Sequence, residues 1–295
     1  MRKFKIITVV ALVAVMSVGI FNACEKDGVY KPKKKIVIIL NQYGIGEEKL
    51  LSERWIWNNN KLSKIEYENG YYEVFEYKKN QISKIIGRNG DYQNFTYNGS
   101  KISEIEYFFN NTLWLMEFEY SGDKISKIII EKDGDFEYNE DYDYVSKSLI
   151  NEKSNVLRLI LPEQILQNIT KISLKNQKNK KKSIEKITKT CKFTWKENNI
   201  EQIIIEQSDN GKILYTETIK YTYDDKINPM YGLLSEEISS LSKNNVTKMT
   251  STNSNNYTYE YNYTYVYKDN FPTEMTSTSI FDSYKYIVTT YYEYK

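Results

Sequence analysis

The chain has 295 residues, 40% of them hydrophobic and 27% charged, with a formal net charge of +2. This length and hydrophobic content exclude a disordered chain and are enough to bury the core of a folded domain. The sequence contains no histidine. It therefore excludes Ser-His-Asp and Cys-His catalysis and the usual zinc sites, and we expect neither a cofactor nor an enzyme.

Residues 1–23 have the layout of a bacterial export signal, in which basic residues precede an apolar run. The run, Ile6–Phe21, is too short for a typical membrane-spanning helix and ends in Asn22-Ala23-Cys24. A small residue followed by cysteine resembles the lipoprotein cleavage box, which implies cleavage before Cys24 and acylation of its thiol and amino group. The alternative is an ordinary signal peptide or an uncleaved anchor.

Residues 24–35 are predicted to be a solvated tether between the lipidated Cys24 and the fold. Glu25-Lys26-Asp27 resembles the acidic tag that directs lipoproteins of some Gram-negative bacteria to the cell surface, so we expect an outer-membrane, lipid-anchored protein. Cleavage removes three of the 41 basic residues and none of the 39 acidic ones, leaving a nearly neutral chain. We therefore expect no nucleic-acid partner, and membrane contact through acylated Cys24 only.

A repeated phrase occupies the next part of the chain, beginning at Trp55. In each copy an aromatic pair is followed by a turn and then by Lys-Ile-Ser-Lys-Ile or a close variant, starting at Lys61, Gln81, Lys101 and Lys124. A period of this size indicates one supersecondary unit used repeatedly. The dipeptides Asn69-Gly70, Asn89-Gly90, Asn98-Gly99 and Asp133-Gly134 are typical hairpin turns, so the unit is predicted to be a β-hairpin.

Side-chain alternation predicts which face of each strand is buried. Phe75 and Tyr77 share a face with Glu76 opposite, and Ile105 shares a face with Tyr107. One side is apolar and the other is largely charged. The leading Leu62, Ile82, Ile102 and Ile125 are out of phase, and we expect them to plug the turn end of the sheet through a β-bulge.

Residues 151–190 are less regular and contain a basic run at Lys175, Lys178, Lys180, Lys181 and Lys182. A solvated hairpin loop is the favoured interpretation, with an anion site as the alternative. Once Cys24 is acylated, Cys191 is the one remaining thiol, so a disulfide framework is excluded. We expect Cys191 to be a buried structural thiol.

The repeat returns at Phe193/Trp195 and at Tyr221/Tyr223. Apolar residues spaced at i, i+4 and i+7 then predict one short helix near 233–241. The last strands contain a tyrosine ladder, in which alternate residues are tyrosine: Tyr257, Tyr259, Tyr261, Tyr263, Tyr265 and Tyr267. An aromatic row of this kind is a candidate surface for sugars or extended peptides, but core packing is the favoured interpretation, because the same parity supplies the core in this fold.

These motifs resemble two known groups. The aromatic-x-Tyr-turn-Lys-Ile-Ser-Lys-Ile unit is similar to the tyrosine-aspartate repeats of bacterial shell proteins. The later segments Tyr221–Pro229, Leu241–Thr247 and Asp269–Thr273 resemble an uncharacterised family of Gram-negative lipoproteins described as having a porin-like fold. The resemblance implies the fold and supplies no catalytic residues.

A row of carboxylates of one parity is the candidate metal site: Asp133, Asp135, Glu137, Asp141 and Asp143. Hard oxygen ligands of this kind suit calcium. Tyr138 stands where a calcium loop needs glycine and Tyr144 where it needs a bidentate glutamate. A solvated acidic strand face is therefore the favoured interpretation.

Residues 36–295 are thus predicted to form one all-β domain. We expect an antiparallel hairpin meander of about 16 strands that closes into a water-soluble barrel or a strongly coiled sheet. Turn spacing gives most strands five to eight residues, shorter than membrane barrels use, and the charged face would oppose contact with lipid. The predicted function is non-enzymatic binding of an extracellular glycan or peptide. The alternatives are a structural protein docking on another outer-membrane protein and a carboxylate-based hydrolase.

Overall fold

A computed structural model of the chain describes residues 34–109, 112–133, 187–232, 238–281 and 284–295. Within them lie sixteen strands and one helical turn, α1 (Ile238–Leu241). The predicted export signal, Cys24, the basic run and Asp135 to Asp143 lie outside the described residues. The strands are β1 (Ile36–Tyr43), β2 (Leu50–Asn58), β3 (Lys61–Tyr67), β4 (Tyr72–Lys78), β5 (Gln81–Gly87), β6 (Tyr92–Asn98), β7 (Lys101–Phe109), β8 (Thr112–Ser121), β9 (Lys124–Asp133), β10 (Ile187–Lys196), β11 (Asn199–Asp209), β12 (Lys212–Ile227), β13 (Asn244–Asn253), β14 (Thr258–Lys268), β15 (Phe271–Phe281) and β16 (Tyr284–Tyr294).

The sixteen strands form a closed barrel in which each strand pairs antiparallel with its neighbours in sequence. The first and last strands close it, with Leu40 opposite Tyr291 in the register. The backbone of Lys35 and Lys295 extends this pairing, since the amide of Lys295 donates to the carbonyl of Lys35 at 2.9 Å. The predicted all-β, sixteen-strand architecture is confirmed. Closure leaves no free sheet edge among these strands.

Strand length differs from the sequence prediction. Strands β3 to β6 have seven residues each, as the turn spacing indicates, but β8 to β11 have ten or eleven and β12 has sixteen. The expectation of five to eight residues for most strands is therefore wrong. The prediction fails for the longer strands because Asn-Gly turns do not bound them at both ends.

The predicted bulges are present, and they explain the serine of the repeat. The register of β2 and β3 pairs Ile56 with Lys64 and then Trp57 with Leu62, so Ser63 is the extra residue. Its hydroxyl donates to the carbonyl of Ile56 at 2.8 Å. The same skip occurs at Ser83, Ser103 and Ser126. Because the bulge shifts the phase of the strand, both Leu62 and Ile65 point inward and are buried.

An aromatic residue near the end of seven of the eight even-numbered strands donates a hydrogen bond to a backbone carbonyl of the preceding odd-numbered strand. Tyr77 donates to the carbonyl of Leu62 at 2.9 Å, and Tyr97 donates to that of Ile82 at 2.8 Å. Five further donors make the same contact around the barrel: Trp57, Trp195, Tyr223, Tyr265 and Tyr294. We call this end of the barrel the clasp end.

The first lysine of the repeat covers aromatic rings at the clasp end. The ammonium of Lys61 lies 5.0 Å from the ring centroid of Tyr77, and that of Lys101 lies 5.3 Å from Tyr120. Lys124 covers Trp195 in the same way at 5.5 Å. These distances are typical of cation–π contacts. The first lysine, the leading Leu or Ile and the serine of the repeat therefore have structural roles at the clasp end.

The interior is apolar near the clasp end, as parity predicted. Ile105, Ile128, Ile200, Ile203 and Ile205 are at most 1% exposed. The outer wall carries charge at the centres of its strands, with ion pairs Lys64–Glu66 at 2.8 Å, Lys192–Glu206 at 2.8 Å and Lys248–Glu260 at 2.7 Å. Within the described residues no helix is long and apolar enough to cross a membrane.

Candidate functional site

The half of the barrel opposite the clasp end, which we call the polar end, has polar and charged side chains inside. Glu73 and Asp91 are at most 9% exposed on one side of the barrel, and Lys189 and Glu217 are equally buried on another. Each alternates with apolar core residues, as Glu73 does with Phe75, so each points inward. The same alternation is visible in the sequence and places these residues on the inner face. They were missed because charged side chains were predicted on the outer face only.

Glu217 is the most buried of these carboxyl groups. Tyr215 donates to its Oε2 at 2.9 Å, and the hydroxyl of Ser251 donates to Oε1. Burial raises the pKa of Glu217, while the hydrogen bonds from Ser251 and Tyr215 and the charge of Lys189 act in the opposite direction. Burial lowers the pKa of Lys189. These two groups are held in place by the wall and are structural polar contacts between β10, β12 and β13.

A second inward group lies on β3 to β7. The hydroxyl of Tyr67 donates to Glu73 at 2.9 Å, and the ring of Tyr67 lies 5.8 Å from that of Tyr71. Gln93 is 4% exposed, and its Oε1 accepts no hydrogen bond within the part of the chain that the structure describes. Gly87 is needed here because a Cβ at that position would lie 2.0 Å from the hydroxyl of Tyr71.

The rim of the polar end carries most of the exposed large apolar side chains. Seven of the nine such residues among the described ones lie there: Tyr43, Ile45, Leu50, Ile213, Leu214, Tyr257 and Tyr286. They lie on or next to β12, β14, β16, β1 and β2, within one run of seven consecutive strands in the barrel order. We call this set the apolar arc. Exposed apolar residues that cluster in this way are typical of interaction surfaces.

The connection between β1 and β2 shows how one of these side chains is presented. Gly44 and Gly46 flank Ile45 with φ of +83° and +80°, a conformation that favours glycine. The amide of Gly44 donates to the carbonyl of Ile287 at 2.9 Å, and Gln42 donates to the carbonyl of Glu47 at 2.6 Å. The loop is therefore anchored to the wall while Ile45 is 87% exposed.

A cavity of about 230 Å³ opens beside the start of the apolar arc. It is lined by charged and aromatic side chains of β2, β3 and the turn to β4, including Arg54, Glu66, Glu68, Tyr71 and Tyr72. Its walls would suit a small polar portion of a larger ligand.

The tyrosine ladder follows the inner face of β14 from one end of the barrel to the other. Tyr257 is 63% exposed at the polar end, whereas Tyr261 and Tyr263 pack against the core. Tyr265 is a clasp donor, and Tyr267 donates to Asp224. Burial raises the pKa of Tyr263 and Tyr265. The structure thus places most of the ladder inside the barrel, and only Tyr257 and the half-buried Tyr259 lie near the rim.

The remaining candidate residues contribute little to this site. Cys191 is 0% exposed, and burial raises its pKa to about 11, as expected for a structural thiol. Asp133 ends β9, and the other four residues of the acidic row lie outside the described residues. Within the described parts of the chain, no three histidine, cysteine or carboxylate residues come together as a metal site.

Comparisons with known proteins give the fold a precedent. No family model matches the chain, and no curated protein does. In fold, the chain is similar to porin-like proteins. One is a porin-like protein from Bacteroides vulgatus ATCC 8482, with a TM-score of 0.51, 11% identity, and coverage of 89% of this chain and 99% of that one. Another is a porin-like protein from Bacteroides uniformis ATCC 8492, with a TM-score of 0.52, 12% identity, and coverage of 92% and 100%.

These neighbours support the porin-like fold that the sequence motifs implied. At identities of 11% and 12%, the likeness extends to the fold alone. The tyrosine-aspartate repeat and the lipoprotein anchor stay predictions from the sequence.

Proposed function

We propose that this protein is a lipid-anchored, non-enzymatic binding protein of the outer-membrane surface, whose barrel stands in water and binds an extracellular polypeptide at the apolar arc. The observation that carries this proposal is the concentration of seven of nine exposed large apolar side chains on one arc of the polar-end rim. Four of the seven are aliphatic, which favours a polypeptide over a glycan, because sugars stack on flat aromatic faces.

The point at which the chain enters the barrel indicates which end of the barrel would face the membrane. Lys34 and Lys35 lie at the clasp end, where Lys34 pairs with Asp269 and Lys35 pairs with the backbone of Lys295. A tether from acylated Cys24 would therefore place the clasp end toward the membrane and the apolar arc away from it. An anchor of this kind holds a protein stably when it carries more than one acyl chain.

The outer wall supports a barrel standing in water. The ion pairs Lys64–Glu66, Lys192–Glu206 and Lys248–Glu260 lie near the middle of their strands, where a membrane barrel carries its apolar band. A lysine at the bilayer midplane costs about 2–4 kcal/mol, so a wall with several is not suited to lipid.

A peptide-display selection against the purified mature chain tests the binding site. We expect enriched peptides to lose binding when Tyr43, Tyr257 and Tyr286 are replaced by serine. The matched control replaces Ile56 and Val266, the two exposed apolar residues away from the arc, by serine. If the arc variant binds the enriched peptides as tightly as wild type does, the apolar arc is not the binding site. Enrichment on a glycan array with no peptide enrichment would show that the ligand is a glycan instead.

A further inference from the structure

Charge is distributed unevenly between the two ends of the barrel. At the clasp end, the connections, the two outermost residues of each flanking strand and the chain ends carry twelve lysines and four carboxylates among the described residues. The lysines are Lys34, Lys35, Lys61, Lys78, Lys79, Lys101, Lys124, Lys196, Lys226, Lys243, Lys268 and Lys295. Two further carboxylates of the sequence, Glu236 and Glu237, lie in the β12–β13 connection outside the described residues.

The polar end has the opposite balance. Its described connections, with the two outermost residues of each flanking strand, hold eight carboxylates, among them Glu47, Glu48 and Asp209, against five basic residues: Lys49, Arg88, Lys132, Lys212 and Lys285. Among the described residues the two ends of the barrel therefore differ in charge, and the β9–β10 connection of the polar end lies outside them. A charged surface senses this local distribution rather than the total, because screening limits its field to about 10 Å at 0.1 M salt.

Half of the clasp-end lysines are free to meet an external anion. Lys78, Lys79, Lys196, Lys243, Lys268 and Lys295 are exposed, and within the described residues none of their ammonium groups makes a hydrogen bond or an ion pair. The others lie over aromatic rings or pair with a carboxylate, as Lys101 does with Asp123 at 3.1 Å. The exposed lysines come from separate connections around the ring, so they present charge over the whole end of the barrel.

We propose that the clasp end is a second membrane contact, in which its exposed lysines bind anionic lipid headgroups. The structure favours lipid over other anions because the chain enters the barrel at this end, next to Lys34 and Lys35. The orientation of the barrel rests on the anchor of the proposed function. None of the exposed large apolar side chains of the apolar arc lies at this end, and its exposed residues include six lysines, which suits an anionic headgroup surface.

The size of the effect follows from the number of lysines. A lysine near an anionic surface contributes roughly fivefold in affinity, about 1 kcal/mol. The four substitutions Lys78→Gln, Lys196→Gln, Lys243→Gln and Lys268→Gln take one lysine from each of four connections. Because the four lysines do not all contact the vesicle surface at once, we expect their replacement to reduce vesicle affinity by at least about tenfold.

The test uses the mature chain with Cys24→Ser, so that no lipid anchor contributes. Co-sedimentation is measured with vesicles of phosphatidylcholine alone and with vesicles containing about 30% phosphatidylglycerol, at low and at high salt. The control variant carries Lys192→Gln, Lys212→Gln, Lys220→Gln and Lys285→Gln, which change the net charge equally at exposed positions away from the clasp end.

We expect the wild-type ring to bind only the anionic vesicles, with affinity that falls as salt rises. The clasp-end variant should lose at least about tenfold, and the control variant should stay within about twofold. No binding to anionic vesicles, or an equal loss in both variants, would overturn the proposal. Neither result depends on the peptide selection at the apolar arc, so the two proposals fail separately.

Discussion

The clasp hydrogen bonds predict a measurable contribution of single hydroxyl groups to stability. Tyr97 donates to the carbonyl of Ile82 at 2.8 Å. The backbone pairing of β5 with β6 stops at Lys84 and Asn94, so β6 offers no backbone donor to the carbonyl of Ile82. Tyr97→Phe removes the donor and leaves the ring, and a part-buried acceptor that loses its partner costs about 1–3 kcal/mol.

Tyr92 supplies the matched control. It lies on the outer wall, where its ring stacks on Phe108 at 5.3 Å, and its hydroxyl makes no hydrogen bond within the described residues. Tyr92→Phe should change the free energy of unfolding by less than about 0.5 kcal/mol. Urea unfolding followed by circular dichroism measures both variants. For a domain of this size, 1 kcal/mol corresponds to about 2–4 °C in Tm.

The double variant Tyr77→Phe/Tyr97→Phe extends the test. Tyr77 donates to Leu62 and Tyr97 to Ile82, so the two bonds share no partner. Their losses should add within about 0.5 kcal/mol. The reasoning is refuted if Tyr97→Phe is no more destabilising than Tyr92→Phe, because the clasp bonds would then contribute nothing beyond ring packing.

Three further predictions concern other parts of the wall. Ser63→Ala should cost about 0.5–1.5 kcal/mol through loss of the bulge hydrogen bond to Ile56, and Ser100→Ala in an exposed turn should not; urea unfolding compares them. Burial raises the folded-state pKa of Glu217 above 4.5, so the stabilising effect of this group is complete below that pH and is lost as pH rises through the folded pKa. The unfolding free energy of wild type should therefore fall relative to that of Glu217→Gln between about pH 4 and pH 8. Parallel pH profiles of the two proteins would contradict this. Cys191 should not react with a thiol reagent in the native Cys24→Ser chain at pH 8 and should react fully in urea, whereas rapid native reaction would show that the interior is accessible.

The sequence allowed the wall of the barrel to be predicted because its signals are local. The hairpin period, the turn dipeptides and the alternation around Phe75 and Ile105 depend on residues close in sequence. The out-of-phase Leu62 even indicated the bulge, which the register confirms. Strand ends beyond the Asn-Gly repeats were not predictable in the same way, because no turn signal marks them.

The candidate site could not be predicted because closure of the barrel creates it. Leu214 and Leu50 belong to strands far apart in the sequence, and they share one rim only because β1 pairs with β16. The tyrosine ladder is the converse case. Its alternation was visible in the sequence and favoured core packing, and Tyr263 and Tyr265 do line the interior.

The central claim is that the barrel stands in water and is held to the membrane by its anchor. Fractionation of cells expressing wild type and Cys24→Ala tests it directly, with a high-salt wash to release contacts made by the clasp-end lysines. Wild type should require detergent for release, and Cys24→Ala should enter the detergent-free soluble fraction as a folded β protein. A Cys24→Ala chain that still requires detergent after the salt wash would contradict the claim and would place the wall of the barrel in lipid.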